Sequence, residues 1–97
     1  MPRRDPLERN IEAYGKRLFK SKGFLVFKLG ILGGRGWPDH TIFAPGGRVG
    51  FVEYKRPDGK YEPLQQYWMG KLKAFGFVTK MCVVKKDVDN FLKEFSA

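Results

Sequence analysis

The chain has 97 residues, 42% of them hydrophobic, and carries 19 Lys and Arg against 10 Asp and Glu, a formal net charge of +9. That length sets one small domain with a modest core, and the hydrophobic fraction excludes a disordered tail. The single cysteine, Cys82, excludes an intrachain disulfide, and with His40 as the one histidine a structural zinc site is excluded as well.

Leu7, Ile11, Tyr14 and Leu18 recur at helical spacing among charged residues, which predicts an amphipathic helix over 6–22. Asp5 is placed to cap it, Pro6 suits its first turn, and Gly23 ends it. Residues 24–29 read as a first strand. A glycine-rich connection follows over 30–36, holding Gly30, Gly33, Gly34 and Gly36 with Arg35 among them. Residues 39–44 form a second strand, Pro45-Gly46-Gly47 a hairpin turn, and 48–55 a third strand. Alternation along that third strand puts Val49, Phe51, Glu53 and Lys55 on one face.

Residues 56–60 form a turn or loop. Pro63 opens a second helix with an apolar stripe of Leu64, Tyr67, Trp68, Leu72 and Phe75, broken by Lys71 and ended by Gly76. Residues 77–84 form a fourth strand, where Cys82 reads as a small core residue. Asp87 is expected to cap a last helix running to Phe95, with Val88, Phe91, Leu92 and Phe95 as its buried face. The order is α-β-β-β-α-β-α in one domain, 1–97. The hairpin strands should be antiparallel, and the third and fourth strands, joined through a helix, parallel. The class is α/β, a mixed β-sheet flanked by helices.

No apolar run approaches the ~20 residues of a membrane span. The N-terminus, Met1-Pro2-Arg3-Arg4-Asp5, leads into no signal-peptide apolar core. The charge balance makes a polyanion the expected partner.

The chemistry concentrates in two clusters, Gly36-Trp37-Pro38-Asp39 and Glu53-Tyr54-Lys55, which the hairpin brings to neighbouring strands. A phosphodiester repels anionic nucleophiles, and a divalent cation lowers that barrier. With zinc-type ligands lacking, any metal here is held by oxygen, which points to Mg²⁺ or Mn²⁺. Asp39 and Glu53 supply carboxylates, and the backbone carbonyl of Tyr54 can add a third oxygen. Lys55, on the face of Glu53, can orient the attacking water or stabilise charge on phosphorus. The trio fits a metal-dependent phosphodiesterase.

These residues also carry a family resemblance. Pro38-Asp39 followed by Glu53-x-Lys55 resembles the PD-(D/E)xK nuclease superfamily. Gly33-Gly34-Arg35-Gly36-Trp37-Pro38-Asp39, then Phe51-Val52-Glu53-Tyr54-Lys55, then Pro63-Leu64-Gln65-x-x-Trp68, is similar to the virus-type replication-repair nuclease (VRR-NUC) branch in its stand-alone phage form. The resemblance covers nearly the whole chain. It implies a restriction-endonuclease-like core and a Mg²⁺- or Mn²⁺-dependent endonuclease that acts on branched or structured DNA. Stand-alone members resemble Holliday-junction resolvases, which cut symmetrically as homodimers, so a DNA-repair role in the cytoplasm of a bacterium or phage host is implied. By motif match Asp39 and Glu53 become metal ligands, Lys55 the catalytic lysine, and Gln65 a further active-site residue. The resemblance also implies an acidic residue on the first helix, and Glu8 and Glu12 both qualify, one turn apart.

Among the basic residues, Arg3, Arg4 and Arg17 in the N-terminal region, Lys28 on the first strand, Arg35 in the glycine loop and Lys60 are candidate phosphate contacts. Trp37 either lines the DNA channel or covers the edge of the core. The competing reading is a nucleic-acid-binding module that keeps a nuclease fold without catalysis, or a nuclease that nicks or cuts flaps rather than junctions.

Overall fold

The computed structural model describes residues 6–30, 35–59 and 62–97. Arg3, Arg4 and Lys60, expected to touch DNA, lie outside the described residues, as do the expected cap Asp5 and the motif glycines Gly33 and Gly34. Seven elements follow in the expected order: α1 (Pro6–Ser21), β1 (Leu25–Phe27), β2 (His40–Ala44), β3 (Arg48–Tyr54), α2 (Pro63–Ala74), β4 (Val78–Cys82) and α3 (Lys85–Phe95). The strands form one sheet in the order β1-β2-β3-β4. β1 and β2, and β2 and β3, pair antiparallel, whereas β3 and β4 pair parallel. This is the mixed α/β sheet that the hairpin turn and the helical crossover predict.

Strand alternation sorts the side chains of β3 between two layers. Gly50, Val52 and Tyr54 face α1 and α3: a methyl group at Gly50 would meet the Phe91 and Phe95 rings, and Tyr54 reaches Gly15 of α1. Phe51 and Glu53 face the opposite side, where Phe51 meets Trp37 and Phe77, and Glu53 meets Gln65 of α2. The main core lies between the sheet and the α1/α3 pair. It holds Ile11, Phe19, Phe24, Ile42, Val52, Tyr54, Cys82, Val88, Phe91 and Phe95. Edge-to-face contacts of Phe19 with Phe91 and of Phe24 with Phe95 tie the helices and the β1 approach together. Each large side chain buried this fully contributes about 1.5–3 kcal/mol.

Several local expectations change in the folded chain. β1 is an edge strand of three residues, paired only through Leu25↔Phe43, Val26↔Ile42 and Phe27↔Thr41. Lys28 leaves the ladder and turns to an ion pair with Glu12. Leu7 stays exposed, so the apolar stripe of α1 starts at Ile11. α3 begins two residues before Asp87. That carboxylate sits inside the first turn and accepts from the N–H groups of Val83 (2.8 Å) and Val84 (3.2 Å), so it secures the strand-to-helix corner from within. The stripe of α2 divides: Leu72 is buried, but Leu64, Tyr67 and Phe75 are exposed. The apolar stripe of α2 is therefore largely solvent-facing.

Candidate active site

The β2–β3 register places His40 opposite Val52, so Asp39 enters the hairpin directly across from Glu53. The two acids then hold each other's strands. The backbone N–H of Asp39 donates to Glu53 Oε1 at 3.0 Å, and the N–H of Tyr54 donates to Asp39 Oδ2 at 2.9 Å. Each carboxylate is thus oriented by the main chain beside the other. Glu53 is 2% exposed, a burial that a carboxylate tolerates only with donors in place. Its second oxygen, Oε2, accepts from the Gln65 side-chain amide at 2.6 Å.

Gln65 reaches Glu53 because α2 starts at Pro63 and presents its third residue to the sheet. The amide is held at both ends: its Oε1 accepts from the N–H of Glu62 at 3.4 Å, which leaves the NH₂ group to Glu53. Gly36 makes the approach possible. Its φ is +82°, and a Cβ there would lie 2.7 Å from the Leu64 carbonyl carbon and 2.8 Å from the Gln65 nitrogen. The residue before Trp37-Pro38-Asp39 is therefore pressed against the start of α2, and only glycine fits both the space and the backbone conformation. Trp68 adds a second tie, with its indole N–H donating to the Arg35 carbonyl at 3.0 Å.

A second polar chain lies on the α1 side of the sheet, behind the acids. The Tyr54 hydroxyl and His40 Nδ1 are 2.9 Å apart, and His40 Nε2 lies 3.5 Å from Glu12 Oε2. The same Glu12 oxygen is 2.6 Å from Lys28 Nζ. His40 and Tyr54 are both 1% exposed and Glu12 is 8% exposed, so this is an interior network with Lys28 at its wet end. Gly15 of α1 lies against the Tyr54 hydroxyl. Residue 54 thus works at both layers: its backbone N–H holds Asp39, while its side chain anchors the strand to α1. Sequence reasoning passed over His40 and Gly15. The signal available was an isolated glycine inside a helical pattern, which commonly marks close approach by another group.

The remaining candidates fall around this centre. Lys55 is half-buried just past β3, with its N–H still bonded to the Cys82 carbonyl at 2.9 Å. Alternation directs its side chain to the face of Glu53. Of the two helix glutamates, Glu12 makes the ion pair to Lys28 and the contact to His40, and Glu8 is half-buried one turn earlier. Trp37 is half-buried rather than open: its indole N–H donates to Thr41 Oγ1 at 3.1 Å, and its ring meets Phe51 and Trp68 edge-on. Arg35 is exposed beside it. Arg17 is exposed on α1, along a groove shared with Leu7, Ile11 and Val84. Cys82 is fully buried, and burial first, then the nearby Asp87 charge, pushes its thiol up to about 12, which leaves it a core residue.

The donor set suits a hard cation. Among the described residues no cluster of three His, Cys, Asp or Glu side chains is placed around a common point. Two neighbouring carboxylates and a main-chain carbonyl are nonetheless the ligation that Mg²⁺ accepts, since it keeps several waters in its shell.

A solved structure described as a VRR-NUC domain superposes on this chain with a TM-score of 0.82 at 29% identity, covering 92% of this chain and 97% of its own. The chain has the VRR-NUC fold. No family model and no curated protein matches the sequence. The VRR-NUC likeness makes this a nuclease-family domain, with an α/β nuclease-like core spanning all seven elements. Within the VRR-NUC fold the acids stand at the β2–β3 hairpin entry, Gln65 at the start of α2, and the Glu12–His40–Tyr54 network between α1 and the sheet. No helix of the described residues is long and apolar enough to cross a membrane.

Proposed function

We propose that this domain is a Mg²⁺- or Mn²⁺-dependent endonuclease that hydrolyses phosphodiester bonds in branched or structured DNA, in the manner of a junction resolvase. The observation that carries the reading is the reciprocal hold of Asp39 and Glu53, each fixed by a backbone N–H from the other's strand. Asp39, Glu53 and the Tyr54 carbonyl are the groups that would hold the ion. When bound, the ion would neutralise phosphate charge, lower the pKa of a water and stabilise the leaving oxygen.

The chain's own residues do the rest. Gln65 fixes the rotamer of Glu53 through its second oxygen. Lys55 brings an ammonium to the acid face, where it orients the attacking water or offsets charge growing on the phosphate. The net charge of +9 draws the polyanionic substrate in. Symmetric cutting of a four-way junction needs two such sites related by a two-fold axis, so the working form is a homodimer. Its setting is the cytoplasm of a bacterium or phage host, in DNA repair or recombination.

The test is cleavage of a panel comprising a four-way junction, a flap, a splayed arm and a linear duplex, with Mg²⁺ and with Mn²⁺. Paired symmetric cuts in the four-way junction are expected. Asp39→Ala and Glu53→Ala should abolish cleavage and the calorimetric Mn²⁺ site while leaving the circular dichroism spectrum native. Full cleavage by either variant would overturn the assignment.

A further inference from the structure

The exposed side of α2 carries features that the cleavage site does not use. Gln65, Trp68 and Leu72 turn toward the sheet, while Leu64, Tyr67, Lys71 and Phe75 form the adjoining stripe at i, i+3, i+7 and i+11. Tyr67 is 51% exposed and Phe75 is 73% exposed. The Lys71 ammonium lies 5.8 Å from the centre of the Tyr67 ring, within cation–π range. Tyr67 is also the outermost of a run of edge-to-face rings: it meets Trp68 at 5.0 Å, Trp68 meets Trp37 at 5.6 Å, and Trp37 meets Phe51 at 5.5 Å. The run passes through Trp37, two residues before Asp39.

We propose that Tyr67, with Lys71, is a stacking site for an unpaired nucleobase beside the acid site of Asp39 and Glu53. This rests on the nuclease reading for its placement beside a scissile phosphate, and it names the substrate feature that the site selects: a nucleotide out of the duplex stack. Tyr67 connects to the acid site through its rings: it touches Trp68, which touches Trp37 two residues before Asp39, so a nucleotide neighbouring the bound phosphate comes within reach of the ring. The rings behind Tyr67 restrain its indole-backed position, so little side-chain freedom is lost on stacking. Lys71 sits where the adjoining backbone phosphate passes and supplies the opposite charge.

Charge decides between nucleic acid and a protein occupant. Lys71 interrupts the apolar stripe at its middle, and Lys73 follows on the same helix. Burying that ammonium in an apolar contact with a second copy is costly without a paired anion, and a phosphate backbone provides one at every nucleotide. Base–aromatic stacking with a tracking lysine is also indifferent to sequence, since every base has a π-face.

The experiment measures binding in EDTA, where no cleavage occurs, using DNA with 2-aminopurine at an unpaired position beside a branch and a fully paired duplex of the same length. The wild-type chain should quench the fluorophore. Tyr67→Ala should lose the quench and weaken binding of the branched DNA about 5- to 100-fold, with duplex affinity changed less than about twofold. Tyr67→Trp should retain both, and Lys71→Gln should weaken the branched complex and flatten its salt dependence. Equal weakening on both DNAs, no change on either, or a Tyr67→Ala chain that falls to a smaller species in sedimentation velocity would overturn the proposal, the last by giving the face to a second copy. Selective binding without cleavage in Mg²⁺ or Mn²⁺ would keep the base site and remove the nuclease reading, so the two fail separately.

Discussion

The side-chain amide of Gln65 donates to Glu53 Oε2 at 2.6 Å, across the gap between α2 and the sheet. Its other end accepts from Glu62, so the amide cannot turn over without losing a bond. Gln65→Ala should therefore leave the fold intact and free the Glu53 carboxylate to rotate. We expect cleavage to slow by about 10- to 100-fold at saturating metal, the range for a misplaced catalytic group. Single-turnover rates beside a thermal melt check this, and an unchanged rate would remove Gln65 from the site.

Glu12 and Glu8 are separable by charge-neutral substitution. Glu12 is buried against His40 and Lys28, but Lys28 is 65% exposed and its share of the pair is screened. Glu12→Gln should cost about 1 kcal/mol of stability and lower Mn²⁺ affinity if this residue completes the metal site. Glu8→Gln should stay within about 0.5 kcal/mol of wild type. Urea denaturation and Mn²⁺ calorimetry on both variants decide the matter, and a larger loss of affinity in Glu8→Gln would reverse the order.

Two glycines are held by neighbours rather than by turns alone. A methyl group at Gly15 would overlap the Tyr54 hydroxyl, so Gly15→Ala should destabilise by about 1–3 kcal/mol despite the ~1 kcal/mol helix gain of alanine. Tyr54→Phe in the same chain should recover part of that loss, and a double-mutant cycle measures the coupling. Gly36→Ala, with φ +82° and the α2 backbone in the way, should instead cut cleavage more than stability, because it moves α2 and Gln65 off Glu53.

Cys82 links stability to alkaline pH. Its thiol is raised from 9.0 to about 12 in the folded chain, chiefly by burial. Between those values the unfolded chain has released a proton that the folded chain keeps, so stability falls as pH rises from about 9 to about 12. Cys82→Ala should flatten that part of the curve in denaturation experiments. Native protein at pH 8 should also resist thiol-specific reagents until it is unfolded, and rapid labelling would show the thiol to be open.

Much of the architecture is legible in the residues because strands and helices have fixed periods. The period of two in Val49, Phe51 and Glu53 places the acid on one face, and Pro45-Gly46-Gly47 sets the hairpin that puts Asp39 opposite it. Proline at the start of α2 and the crossover to β4 likewise follow from local chemistry and chain geometry. The cap of α3 falls three residues before Asp87, at Val84, since a carboxylate can serve a helix start either from the cap or from inside the first turn.

Periodicity says which residues share a face, but not which face another part of the chain will cover. Glu8 and Glu12 look alike on the helix, and only the docking of α1 on the sheet brings Glu12 to His40 and Lys28. The stripe on α2 looks like core, yet α2 docks on β4 and meets Trp37 through Trp68, which buries Leu72, half-buries Trp68 and leaves Tyr67 and Phe75 in solvent. The acids and their chemistry are thus written into short stretches of chain. Their orientation, the network behind them and the open aromatic face arise from contacts between residues far apart in sequence, where long-range packing rather than local propensity selects the partner.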